Sequence, residues 1–407
     1  MNEKHVAPDV TGLIHHPYVP PAGFEAPQPG VFKASTVYFP SVAAMRQFEW
    51  KDKSAYTYGL HGTPTTYTLE ERLCALEGGQ QCLLVPSGLA ALATVALALL
   101  QTGDEVLIPD NAYGPNKALA EVELRRYGIT HQYYDPMNPD DLSARLNPRT
   151  RLVWLEAPGS VSMEFPDLPE LVRRCKAHGV LCALDNTWGA GLAFEPFDLL
   201  RDGSLGVDIS AHALTKYPSG GGDVLMGSII TRDAALHLKI KLCHMRLGLG
   251  VGANDVEAVL RSLPSVALRY AAHDQSTRRL AVWWQTQEAC SQVLHPALAG
   301  APGHAHWQQL CGQHTDLAAG LFSVILHARY SQAQVDAFCD GLKLFKIGYS
   351  WGGPVSLVMP YQLQSMRKHN TAHLAPGTLV RFSIGLESAE DLRADLEQSA
   401  AWHLQAV

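Results

Sequence analysis

From Thr65 onward, short apolar runs alternate with longer helical stretches. The runs at 81–85, 105–109, 130–134, 151–155, 180–185 and 207–211 predict strands. Between them, an Ala/Leu-rich stretch ending at Leu100 and stretches at 115–127, 140–146 and 168–178 predict helices. Strands alternating with helices imply a mainly parallel sheet covered on both faces. Ligands of such sheets bind outside the carboxyl ends of the strands, so polar residues just after strands are the first candidates for chemistry.

The texture changes near residue 264. A long helix is expected from 265 past Trp284, then a strand at 321–326, a helix at 332–338, a strand at 378–384 and a helix at 389–402. Before Thr65 the chain is rich in Pro and Gly, with Pro17, Pro20, Pro21, Pro27 and Pro29 close together, as suits an extended arm. The expected organisation is an arm over 1–62, a ligand-binding domain over 63–264 and a smaller α/β domain over 265–407. There is no internal repeat.

Composition narrows the function classes. The 407 residues are 47% hydrophobic and 17% charged, as in a globular chain. The net charge of −7, without a dense Lys/Arg run, argues against nucleic acid. The most apolar stretch, 83–100, is interrupted by Pro86, Ser87 and Gly88, so a buried helix is expected rather than a membrane span. The first ten residues are polar and hold no secretory signal. Eight cysteines with no Cys-x-x-Cys pair are expected to be free thiols in a reducing cytoplasm.

Four segments then attract attention. Ser87-Gly88-Leu89 follows a strand and opens a helix, whose unpaired N–H groups suit a phosphate; taken alone, an ordinary N-cap is the better reading. Asp185 ends an apolar strand, where a carboxylate is costly unless something positive meets it. A helix cap or a structural salt bridge would serve, and so would a protonated pyridine nitrogen. Lys216 precedes Gly220-Gly221-Gly222, which suggests the close approach of a ligand, although most lysines simply lie at the surface. Tyr113 follows the strand ending near Pro109 and is placed to stack on a flat ring. A phosphate cup, a stacking tyrosine, a strand-end aspartate and a lysine in that order are far more specific together than apart. By contrast, Gly248-Leu249-Gly250-Val251-Gly252 lacks the dinucleotide fingerprint, and His304 and His306 lack further ligands at a metal spacing, so neither a nicotinamide nor a metal is expected.

From about Tyr56 to Glu387 the chain resembles the pyridoxal 5′-phosphate (PLP) enzymes of cysteine and methionine metabolism, and most of all the bacterial β-lyases among them. The likeness rests on Leu76-Glu77-Gly78-Gly79, Glu156-Ala157-Pro158-Gly159-Ser160, Asp185-Asn186-Thr187-Trp188, Thr215-Lys216-Tyr217, Tyr349-Ser350-Trp351-Gly352-Gly353 and Arg381 with Gly385-Leu386-Glu387. It implies a fold-type I subunit in a homotetramer. It also implies Lys216 as the Schiff-base lysine, Asp185 on the pyridine nitrogen and Tyr113 on the ring, with Gly88, Leu89 and Thr215 on the phosphate. Arg381, helped by Ser350, would grip the substrate α-carboxylate. Tyr58 would reach the phosphate of a neighbouring subunit, and Trp351 and His61 would line the substrate site. The chain departs from the family pattern at Leu60, where an arginine is usual, at His61, at Ala213 and at Gly220-Gly221-Gly222-Asp223. Trp351, where the γ-enzymes carry a smaller residue, favours β-elimination of L-cystathionine to homocysteine, pyruvate and ammonia, with cysteine or S-alkylcysteine as further substrates. γ-Cleavage or γ-synthesis within the family, and a catalytically idle PLP fold that only binds or regulates, are the alternatives.

Overall fold

The computed structural model describes residues 10–16, 18, 20–51, 53–369 and 371–405. Residues 1–9 of the expected arm, and Pro17 within its proline cluster, lie outside the described residues. Two sheets organise the rest. The first contains β1 (Gln81–Val85), β2 (Glu105–Pro109), β3 (Thr130–Tyr134), β4 (Thr150–Glu156), β5 (Leu181–Asp185), β6 (Ile209–Ala213) and β7 (Gly227–Thr231), in the spatial order β1-β7-β6-β5-β4-β2-β3. β3, β2, β4, β5 and β6 are parallel, whereas β7 runs antiparallel to both of its neighbours, β6 and β1.

The sequence reading places β6 two residues too early and misses β7. Asp208 explains the first difference. Its carboxylate accepts the Cys182 N–H at 2.8 Å and pairs with Lys176 at 2.5 Å, so the strand pairing begins after it. β7 is buried along its whole length and therefore shows no alternation of apolar and polar positions. The helix expected over 115–127 is divided into Gly114–Ala118 and a wider π-helical turn, Leu119–Leu124.

One face of this sheet packs on the helices Gly88–Leu99 and Ala234–Leu247; Val85, Ala91, Val95, Ile108, Ala183 and Ile229 build that core. The opposite face covers a larger core with the helices Pro64–Glu77 and Leu168–Ala177.

The second sheet holds β8 (Cys290–Leu294), β9 (Leu321–His327), β10 (Lys346–Ile347), β11 (Leu357–Tyr361) and β12 (Gly377–Ser383), in the order β10-β11-β12-β9-β8. All of its pairs are antiparallel except β10 with β11. The sequence shows β9 and β12, the two strands of seven residues, and misses the three shorter ones. Trp284, Phe322, Phe338, Phe345 and Phe382 fill its core. Helix Val266–Trp284 leads into this sheet, and Ala389–His403 packs against the same helix. No described helix is long and apolar enough to cross a membrane.

The parallel strands bring their carboxyl ends to one edge. There the chain presents the loop after β2 with Tyr113, Glu156 at the end of β4, Asp185 at the end of β5 and Lys216 three residues after β6.

Candidate active site

Lys216 is reached by a tight turn in which its N–H donates to the Ala213 carbonyl at 3.1 Å and its own carbonyl accepts the Gly220 N–H at 2.9 Å. Its ammonium donates to Ser350 Oγ at 2.7 Å and lies 5.4 Å from the centre of the Trp351 ring. The 350–353 loop can lie this close because Gly352 adopts φ +79°. A Cβ there would stand 3.1 Å from Tyr217 N and 3.2 Å from the Lys216 carbonyl carbon. Burial, then the neighbouring Arg381 cation, push the Lys216 amine down to about 8 against the pull of Asp185. An amine in that range is available as a nucleophile and base near neutral pH.

Arg381 lies on β12, buried, with its guanidinium 5.4 Å from the centre of the Tyr361 ring. Nη2 donates to the Ser350 carbonyl at 3.4 Å, while Nε has no hydrogen-bond partner among the described residues. A buried guanidinium with an unanswered donor is suited to an incoming carboxylate. Ser350 thus has two contacts here: its carbonyl accepts from Arg381 and its hydroxyl holds Lys216.

Two carboxylates share the strand ends. Glu156 and Asp185 are directly paired across β4 and β5. Asp185 Oδ1 accepts the Thr187 N–H at 3.1 Å and its hydroxyl at 2.5 Å; among the described residues Oδ2 accepts nothing. The Thr187 hydroxyl in turn accepts the Ala213 N–H at 3.0 Å, which ties β5 to the end of β6. Burial raises the Asp185 carboxyl, opposed by the Thr187 bonds, His212 and Lys216. Glu156 rises well above the usual carboxylate range, first through burial and then through Asp185. Burial thus raises both carboxyls, and the free Asp185 oxygen is suited to an incoming cation.

Glu156 was not legible as a site residue, although its position at a strand end matches that of Asp185. Its Oε2 accepts the Tyr113 N–H at 2.8 Å and so fixes the tyrosine's backbone. The Tyr113 phenol is raised by burial, then by Asp185, Glu156 and Tyr361, which places it among the same groups.

Ser87 caps the helix Gly88–Leu99, its hydroxyl accepting the Ala90 N–H at 3.0 Å. Gly88 is pressed on the end of β6: a Cβ would meet that of Ala213 at 2.5 Å. The first-turn N–H groups of Gly88 and Leu89 have no acceptor within the helix and are suited to a phosphate. The Thr215 hydroxyl, by contrast, is engaged with the backbone of Met226, at 3.3 Å to both N and O.

Tyr58 and His61 are not brought to this cluster by the chain itself. Tyr58 forms an isolated bridge with Thr36, and its hydroxyl receives Ser35 Oγ at 3.4 Å. His61 stacks on Trp50 at 4.4 Å, and its Nδ1 meets Thr57 Oγ1 at 2.9 Å.

A lysine with a lowered pKa, a strand-end carboxylate with a free oxygen and a capped helix start on one sheet edge fit a phosphorylated pyridine aldehyde. The family model for Cys/Met metabolism PLP-dependent enzymes matches residues 10–401. The chain belongs to this family. Its cofactor is accordingly PLP and its fold is that of the fold-type I PLP enzymes. Among relatives, the chain is 36% identical to the cystathionine beta-lyase of Bordetella avium, covering 97% of each, and 33% identical to cystathionine beta-lyase MetC of Escherichia coli, covering 91% of this chain and 92% of the other. The family is chemically diverse: an L-alanine/L-glutamate racemase of Wolbachia pipientis is 33% identical over 85% of this chain and 83% of the relative. The solved structure of metB from Corynebacterium glutamicum superposes with a TM-score of 0.84 at 25% identity, covering 96% of this chain and 97% of that one.

Proposed function

We propose that this protein cleaves the Cβ–S bond of L-cystathionine, releasing homocysteine, pyruvate and ammonia. The observation that carries the reading is the Lys216 amine, held by Ser350 under the Trp351 ring beside the buried Arg381. The relatives named cystathionine beta-lyase, matched over nearly the whole chain, support it.

In this reading Lys216 would hold the cofactor covalently through its amine. Gly88 and Leu89 would hold the phosphate through their N–H groups, and Thr215 would join them by turning its hydroxyl away from Met226; Tyr113 would cover the ring and Asp185 would keep the ring nitrogen protonated. PLP, when bound, supplies the electron sink for the α-carbanion. Arg381 grips the α-carboxylate with its forked donors, which aims the Cα–H bond at Lys216. Lys216, neutral and low in pKa, removes that proton. The sulfur then leaves with a proton from Lys216 or Tyr113, and the three-carbon remainder hydrolyses. Trp351 closes the side-chain pocket. The same geometry admits L-cysteine or S-alkylcysteines.

The reading extends to the assembly. Phe24, Phe32, Tyr38, Val42, Met45 and Phe48 are exposed apolar side chains along the amino-terminal arm. We infer that residues 1–62 pack on a neighbouring subunit of a homotetramer and deliver Tyr58 to its phosphate and His61 to its substrate. Residues 63–264 then form the cofactor domain and 265–407 the smaller domain. Eight cysteines that are all free support a cytoplasmic location.

The test is the 2-oxo acid that the purified, PLP-loaded protein forms from L-cystathionine. Pyruvate with homocysteine is expected. 2-Oxobutyrate with cysteine would instead make it a γ-lyase and overturn the reading of Trp351. No oxo acid from any sulfur amino acid would leave the idle-fold alternative.

A further inference from the structure

The chain that joins β11 to β12 does not close as a simple hairpin. Residues 366–369 lie across the loop that follows β2, the loop that carries Tyr113. Arg367 is the centre of the contact. Its Nε donates to Asp110 Oδ2 at 3.1 Å, and its Nη1 donates to Glu164 Oε2 at 2.6 Å. The side chain is 4% exposed and both carboxylates are fully buried. Asp110 also accepts the Lys368 and His369 N–H groups, both at 2.8 Å, and Lys117 Nζ at 3.2 Å. Lys117 reaches on to the Met366 carbonyl at 2.7 Å. Glu164 further accepts Ser162 Oγ at 2.5 Å and meets His373 Nε2 at 2.5 Å.

Both carboxylates act on the Tyr113 loop. Asp110 begins it. Glu164 accepts Asn111 Nδ2 at 3.2 Å, and the Asn111 carbonyl accepts the Ser160 N–H at 2.8 Å. At its other end the strap continues into β11 and β12, which carry Tyr361 and Arg381. One arginine thus joins the strand pair that presents Arg381 to the loop that presents Tyr113. A buried ion pair contributes little net stability, because desolvation offsets attraction, but it fixes geometry strictly.

We propose that Arg367 is a positioning residue: by bridging Asp110 and Glu164 it sets Tyr113 at a fixed distance from Arg381. This rests on the reading of those two residues given above. The gap between them is where the amino-acid end of the substrate and the cofactor ring meet. Arg367 touches neither; it acts through the tyrosine.

The test uses the full-length protein and two variants. Removing Arg367 alone strands two buried carboxylates and can prevent folding, so the main variant is Arg367→Met combined with Glu164→Gln, which leaves Lys117 to answer Asp110. Arg367→Lys keeps the charge but cannot fork to both carboxylates. Each is titrated with PLP in its cofactor-free form, in the native background and with Tyr113→Ala. The expected result is cofactor affinity lower by about tenfold for the double variant and by a smaller factor for Arg367→Lys, shrinking to within about twofold once Tyr113 is Ala. With L-cystathionine, kcat/KM should fall by about tenfold or more. A folded double variant with unchanged affinity would overturn the proposal, as would a loss of the same size in the Tyr113→Ala background. The titration needs no substrate, so a wrong substrate assignment would show in turnover and leave this outcome readable.

Discussion

Lys216 illustrates how a site residue can oppose the fold that holds it. Its amine titrates at about 8 in the folded protein and at the ordinary 10.5 when unfolded. Below pH 8 the folded chain must carry a buried ammonium beside Arg381, at a cost of roughly 3 kcal/mol. Between pH 8 and 10.5 the unfolded state binds more protons than the folded one, so this cost falls as pH rises and is nearly gone at 10.5. The cofactor-free Lys216→Met variant should therefore resist urea better than the native chain at pH 7, with an advantage that fades toward pH 10. An equal advantage at both pH values would mean that packing, not charge, is responsible. The same variant should lose turnover altogether. Lys216, Asp185 and Tyr113 stand out in the sequence because each follows or ends a recognisable element, whereas Arg381, inside β12, is singled out only by the family resemblance. Glu156 also ends a strand, but its partner, the backbone of Tyr113, lies 43 residues away, so its position alone does not announce what it holds.

At the scale of elements, the sequence shows what is periodic and hides what is short or wholly buried. The strands β1 to β5 were read nearly residue for residue, since apolar runs and turn residues bound them. β7, β8, β10 and β11 were not, and neither was the strap. Arg367 stands 257 positions from Asp110 and 203 from Glu164, and nothing near it in the chain announces either carboxylate. The start of the helix Gly88–Leu99 offers a direct check on local physics. Ser87 is its cap, so Ser87→Ala should cost about 1 kcal/mol in urea unfolding. If its first turn also holds the phosphate, PLP should weaken in the same variant. A change in stability without a change in PLP affinity would mean that the cap and the phosphate cup are separate.

The molecule as a whole is expected to be built from shared sites. If Tyr58 serves a neighbour, a Tyr58→Phe chain and a Lys216→Ala chain can each supply what the other lacks. Refolded together in equal amounts, they should recover about a quarter of the native sites, because half the pairs are mixed and each mixed pair holds one intact site. Recovery no greater than the separate chains show would place Tyr58 in its own subunit's site or nowhere. A different consequence follows from the single reversed strand. Among the described residues β1 lies at the edge of its sheet and pairs with β7 alone, and the helix that starts at Gly88 packs on β6 and β7. The segment that offers the phosphate cup is therefore made well before β6 and β7, on which it packs, and waits for residue 231 to complete that seat. During synthesis this strongly apolar stretch must wait more than a hundred residues for its main partners in the sheet. Translation speed and chaperone supply over that interval, more than the final strength of the site, should decide how much of the protein a cell obtains in usable form.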